Sequence, residues 1–164
     1  MEAVIEEISD YERERGKPAP SLNHAYVQSN LLFGSHMKYR GSYSILPELD
    51  LLMADGLIIV PDIAIYPKLR IDFLHDIQSM TTMPLTVVEI ISPSHRNADR
   101  SNDDILAKFE RYFAAGVKSC WLVIPSFKAI SVYSAPGTYQ FFMHDSTLVD
   151  PATGIELPLA EVFE

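Results

Sequence analysis

Leu85-Thr86-Val87-Val88-Glu89-Ile90-Ile91 is an apolar run with a single acid near its end, and Ser92-Pro93-Ser94 closes it. Its β-branched residues and the terminating proline read as a strand of the buried kind, apolar on both faces. Leu57-Ile58-Ile59-Val60-Pro61-Asp62-Ile63-Ala64-Ile65-Tyr66 is a second such run, again with one acid inside it. Ala54-Asp55-Gly56 ahead of it is a hairpin turn signal, and Tyr43 to Met53 reads as the strand that enters that turn. A loop over 67–84, with room for a short helical turn, joins the second strand to the third.

Outward from these strands the pattern turns helical. Residues 101–115 place Ile105, Leu106, Phe109, Tyr112 and Phe113 on one face, with Gly116 as the stop. Cys120-Trp121-Leu122-Val123-Ile124 is another buried-type strand, Ala129 to Tyr133 and Tyr139 to Met143 continue as short ones, and the tail ends in Leu157 to Phe163. Upstream, Ser21 is placed to cap a helix over about 22–38, whose apolar set is Leu22, Ala25, Tyr26, Leu32, Phe33 and Met37. The order is helix, three strands, helix, strand, then a hairpin. Strands covered on both faces and interleaved with helices predict the α/β class, an α+β sandwich.

The 164 residues, 48% of them hydrophobic, suffice for one buried core, so one domain is expected over 1–164. It divides into a polar leader at 1–20, a core at 21–134 and acidic C-terminal strands at 135–164. Eight Phe and eight Tyr exclude a disordered chain, and no apolar run reaches the roughly 20 residues of a membrane helix. Met1-Glu2-Ala3-Val4-Ile5-Glu6-Glu7 is acidic where a signal peptide is basic, so a cytoplasmic protein is expected. Cys120 is the only cysteine, which excludes an internal disulfide and a cysteine-rich zinc site. No histidine pair has H-E-x-x-H spacing, and no G-x-S-x-G elbow supports a serine hydrolase through Ser94, His95 and Asp99.

The net charge of -9 is unevenly spread. Residues 1–17 carry -3, residues 144–164 carry -5, and the 126 residues between them only -1. Strong acidity works against phosphate binding, but here it sits mostly in the two ends.

Asp62 and Glu89 each interrupt an apolar strand. An ionised carboxylate there is costly unless it is paired, hydrogen-bonded or bound to a metal. Two readings stay open: each acid marks a strand end or meets an arginine, or the two share a hard cation such as Mg²⁺ or Mn²⁺. Lys108 falls about 60° from Ile105 and about 40° from Tyr112 around the helix, on the border of its apolar face. It either reaches the surface or points its ammonium inward along a buried stem. His24 and Gln28, at i and i+4, share one helix face, either as structural residues or lining the same cleft.

Taken in order, Pro61-Asp62, Val88-Glu89-Ile90-Ile91-Ser92-Pro93-Ser94, Lys108-x3-Tyr112-x3-Gly116-Val117 and Trp121-x-Val123 resemble the Uma-two family. That is a bacterial family of restriction-endonuclease-like proteins in the PD-(D/E)xK nuclease superfamily. Tyr11-x-x-Glu14-Arg15-Gly16-Lys17-Pro18 and Pro20-Ser21-x-x-His24-x-x-Val27-Gln28 look like one branch of it, so the resemblance runs from about residue 11 to 134. It implies a restriction-endonuclease-like core and a metal-dependent endonuclease that hydrolyses phosphodiester bonds in nucleic acid, DNA above all. The implied catalytic set is Asp62, Glu89 and Lys108. Mg²⁺ or Mn²⁺ would sit on Asp62, Glu89 and the Ile90 carbonyl, with His24, Gln28 and Ser92 in support. The superfamily's usual lysine, two residues after the glutamate, would fall at Ile91, and the family's relocated lysine matches Lys108. A homodimer is expected by analogy, as a small nuclease's route to both strands, and no membrane partner. The rival reading is a non-catalytic module that keeps the fold and binds nucleic acid or a protein.

Overall fold

Pro47 and Pro61 shape the middle of the chain, because a proline removes a ladder donor and fixes its own φ. The computed structural model describes residues 19–91 and 101–164 with positions 9 and 13, the side chains of 101–104 excepted. The expected strand over 43–53 divides into β1 (Tyr43–Pro47) and β2 (Leu51–Leu52). Between them Glu48 takes a φ of 49°, which ends the extended run. The expected strand over 57–66 likewise divides, at Val60-Pro61-Asp62, into β3 (Ile58–Ile59) and β4 (Ile63–Pro67).

The breaks send the two halves into different sheets. β2 and β3 form a small ribbon around the turn at 54–56, where Gly56 has a φ of 86°. β1 and β4 enter the main sheet, whose order is β1-β4-β5-β6-β7-β8, with β5 (Thr86–Ile90), β6 (Ser119–Ile124), β7 (Ala129–Ala135) and β8 (Thr138–Phe142). Only β5 and β6 pair in parallel. A parallel neighbour needs a crossover, and the chain makes it with α2 (Ser101–Ala114). Between residues 68 and 85 the loop makes one hydrogen-bonded turn, the His75 N–H reaching the Asp72 carbonyl at 3.3 Å, and no longer helix, and Met80 bridges to Leu51.

The fold is mixed α/β with a mostly antiparallel sheet. Val88, Ile90, Trp121 and Val123 pack on one side with Val27 and Leu31 of α1 (Leu22–Tyr39). Val87, Ala64, Tyr66 and Cys120 pack on the other with Phe109 and Tyr112 of α2. Both faces of β4 and β5 are therefore buried, which is why those runs read as continuously apolar.

Two expectations are corrected. The apolar set assigned to the first helix is mostly in solvent, with Leu22 81% and Phe33 69% exposed. The buried stripe is His24, Val27, Gln28, Leu31 and Ser35, at helical spacing but half polar. Nor are the C-terminal residues 135–164 strands throughout. β9 (Thr147–Val149) pairs with β10 (Glu156–Pro158), and α3 (Leu159–Phe163) follows at once. Pro158 serves as the N-cap, and α3 packs back on α1, with Asn30 donating to the Val162 carbonyl.

Asp150, one of the acidic tail's five carboxylates, is not on the surface. It is fully buried and accepts from Ser119 Oγ at 2.6 Å, Trp121 Nε1 at 2.8 Å and the Ala152 N–H at 2.8 Å. Donors take the place of a counter-charge there, and the C-terminal segment is tied to β6 through them.

Candidate active site

Asp62 and Glu89 stand at the same end of the β4–β5 pair. β4 and β5 pair with Ile63 opposite Val88, Ala64 opposite Val87 and Ile65 opposite Thr86. Asp62 lies just ahead of β4, outside that ladder, and Glu89 follows its last paired residue on β5. Each is only 7% exposed. The Ile90 N–H donates to Asp62 Oδ2 at 2.7 Å, so the strand that carries one carboxylate also holds the other.

Each carboxylate is gripped from its own helix. On α1, Ser21 caps the first turn by accepting the His24 N–H at 3.3 Å, which sets where the helix begins. Four residues apart on that helix, His24 places Nε2 3.1 Å from Asp62 Oδ1, and Gln28 Nε2 donates to the Asp62 carbonyl at 2.9 Å. His24 Nδ1 is buried with no hydrogen-bond partner among the described residues. On α2, Tyr112 donates its hydroxyl to Glu89 Oε1 at 3.0 Å, and the Lys108 ammonium lies 3.7 Å from the same oxygen. The α2 stop fixes this pair: Gly116 takes a φ of 103°, and the Val117 N–H closes on the Tyr112 carbonyl at 3.0 Å.

Burial, and then the Glu89 charge beside it, push the Tyr112 phenol far above its ordinary range, so it stays a donor. Burial, then Glu89 and Asp150, likewise push up the Cys120 thiol, which rules it out as a nucleophile at neutral pH. Lys108 is different: its side chain is 41% exposed, at the mouth rather than inside.

Asp62, Glu89, Lys108, His24 and Gln28 thus come together at one end of the sheet. Ile90 contributes its N–H to Asp62, and Ser92 lies outside the described residues, as do Glu14, Ser94, His95 and Asp99. Gln28 acts on backbone rather than lining an opening. Tyr112 was legible only as core; its spacing of four from Lys108 was the available signal of a second role. A cleft of about 290 Å³, which of the site residues includes His24 but neither carboxylate, is lined by residues 21–24, Ile91, Pro125 and Ser126. It lies past the carboxyl ends of the parallel pair β5 and β6, where open sheets bind ligands.

The donor set suits a hard dication. Two nearly buried carboxylates at the same end of a strand pair repel each other, and a shared cation would relieve that repulsion. Among the described residues no three His, Cys, Asp or Glu side chains are grouped so that they could hold a metal ion. One or two carboxylates, with water completing the shell, is the usual Mg²⁺ arrangement.

The Uma2 family model, described as "Putative restriction endonuclease", matches residues 6–160. A crystal structure described as a putative nuclease belonging to DUF820, from Anabaena variabilis, superposes with a TM-score of 0.73 at 21% identity. The match covers 90% of this chain and 83% of that one, and it is a likeness of fold. A cryo-EM structure of a DrdV–DNA complex aligns at a TM-score of 0.41 and 12% identity, over 93% of this chain and 11% of that one. No curated protein matches the chain.

Proposed function

From the premise that the chain belongs to the Uma2 family, we propose that it is a divalent-metal-dependent endonuclease acting on DNA. The observation that carries this reading is that Asp62, just ahead of β4, and Glu89, on β5, are both nearly buried and each is held by its own helix, with the Ile90 N–H donating to Asp62.

Asp62, Glu89 and the Ile90 carbonyl would hold Mg²⁺ or Mn²⁺, which when bound supplies Lewis-acid polarisation of a phosphodiester. The chain's own residues do the rest. His24 and the Ile90 N–H hold one Asp62 oxygen each, so that side chain has little freedom to swing away. Gln28 anchors the Asp62 backbone just before β4 begins. Lys108, half in solvent, is placed to meet charge that builds on phosphate oxygens entering from outside. The cleft past β5 and β6 offers the first turn of α1, whose leading N–H groups have no intrahelical acceptor, as a seat for a neighbouring phosphate.

One such site cuts one strand. Cleavage of a duplex therefore calls for two copies, and a homodimer is the arrangement we propose. The chain's net charge of -9 makes affinity for DNA modest and dependent on low salt.

The test is Mn²⁺ calorimetry followed by nicking of plasmid DNA, on the native chain and on Glu89→Gln. Binding and nicking that both disappear in Glu89→Gln, with the circular dichroism unchanged, are expected. Nicking that persists in excess EDTA would end the metal-dependent reading. A native chain that binds no Mn²⁺ would favour the non-catalytic module.

A further inference from the structure

The outer face of α1 is apolar where a surface helix usually turns polar side chains to water. Leu22, Tyr26, Phe33 and Met37 are 81%, 52%, 69% and 71% exposed. On a helix of 3.6 residues per turn they fall within about 60° of one another. Val27 and Leu31, which pack in the core, lie on the opposite side. α3 runs along another flank of α1, the one marked by Asn30 and Gly34, and leaves the stripe open. Tyr26 donates its hydroxyl to the Glu164 carbonyl at 2.8 Å, which fixes its ring at the edge of the stripe.

The spacing of the stripe is symmetric. A half-turn about a point between Ser29 and Asn30 exchanges Leu22 with Met37 and Tyr26 with Phe33. A two-fold interface has this property, because residue i meets j while j meets i. Two copies of α1 laid antiparallel therefore bring Leu22 against Met37 and Tyr26 against Phe33, twice over, with the small Ser29 near the crossing. Antiparallel helices also oppose their macrodipoles, which parallel ones align.

Charge and area allow the contact. The chain carries a net charge of -9, yet α1 has no acidic side chain, so two copies meet along it without the repulsion that excess charge brings. Aromatic side chains offer roughly 150–250 Å² each. At the exposures above, the four amount to about 500 Å² a copy and about 1,000 Å² in a pair, where specific interfaces begin.

We propose that the outer face of α1 is a self-association surface, which pairs antiparallel with the same face of a second copy. This rests on the homodimer put forward above and names its surface and direction. The pairing turns the two Asp62–Glu89 sites toward opposite ends of the joined helices, because His24, which holds Asp62, sits in the first turn of each.

Sedimentation and chemical cross-linking of the full chain test it. The native chain is expected to sediment at twice the mass of one copy. Phe33→Glu, a change to an exposed side chain, is expected to sediment as one copy with its circular dichroism unchanged. Direction is read from Leu22→Cys and Met37→Cys chains with a short bis-maleimide; the native Cys120 is fully buried and does not compete. A re-equilibrated mixture of the two chains is expected to cross-link. Leu22→Cys alone is not, since antiparallel pairing holds its two copies of that position about 22 Å apart along the axis. Cross-linking of Leu22→Cys to itself means a parallel pair and overturns the proposal, as does a dimer without the mixed cross-link. A dimer that survives Phe33→Glu uses another face, and a monomeric native chain leaves the stripe to a different occupant; either overturns it as well. None of these readouts involves cleavage. A monomer that still binds Mn²⁺ and nicks plasmid DNA therefore strikes at the dimer alone and leaves the metal-dependent reading standing.

Discussion

The backbone N–H of Ile90 donates to Asp62 Oδ2 at 2.7 Å, so one strand supplies a carboxylate and positions its partner's. Asp62→Asn keeps the shape and loses the charge. Mn²⁺ affinity is expected to fall at least about tenfold, with the fold retained by circular dichroism. Mn²⁺ titration with unaltered affinity would remove Asp62 from the site.

Lys108 and Glu89 have separable roles. Lys108→Met is expected to lower plasmid nicking by about 10²–10³, the scale of losing one charge-stabilising group in a transition state, while Mn²⁺ binding survives. Glu89→Gln loses both. Steady-state nicking beside calorimetry tells the two apart, and loss of metal binding in Lys108→Met would contradict the assignment.

Gln28→Ala removes one of two donors to the Asp62 carbonyl, since the Glu48 N–H also reaches it at 3.2 Å. The carbonyl is not orphaned, so the loss is about 1 kcal/mol, read as a lowered urea midpoint with an unchanged slope. Asp150→Ala is a harsher change. It strands the buried Trp121 donor and leaves Ser119 only its Thr86 partner, and about 3–5 kcal/mol is expected, as for breaking other buried charged contacts.

Burial raises the Tyr66 phenol from 10.0 to about 12, and its hydroxyl donates to the Thr82 carbonyl at 2.7 Å. A folded-state value above the unfolded one stabilises fully below pH 10, and that contribution fades as pH climbs from 10 to 12. Unfolding followed by circular dichroism should set in over this window, with tyrosinate absorbance rising at the same pH. In Tyr66→Phe that alkaline step is smaller.

Cys120 is fully buried and its thiol is pushed up by burial. Thiol reagents at pH 8 should leave the native chain unlabelled and react at once in denaturant. Rapid labelling of the folded protein would mean that the sheet opens locally at β6.

Much of this arrangement was legible in the residues, for a physical reason. An acid within an apolar strand is expensive, so Asp62 and Glu89 announced themselves, and the prolines and glycines marked the turns. Pro47 and Pro61 were underweighted: each ends a strand and passes the chain to another sheet, which the apolar content of 43–53 and 57–66 concealed. The first helix misled in the other direction. Leu22, Tyr26, Phe33 and Met37 are the more hydrophobic residues, yet the helix buries His24, Gln28 and Ser35, and Asp62 supplies the polar partners of His24 and Gln28 there. Tyr112 was hidden by its dual nature, since an aromatic on an apolar helix face looks complete without a job for its oxygen.

α1 and α2 lie against opposite faces of the sheet, and each holds one carboxylate. The strand ends thus work like the jaws of a calliper whose two arms are anchored in separate hydrophobic cores. The gap between the jaws is set by how far the arms slide past each other, so ordinary repacking deep in either core becomes a way of tuning the jaws from a distance. A conservative change at Leu31 or Phe109, touching neither carboxylate, belongs among the determinants of what the jaws will grip.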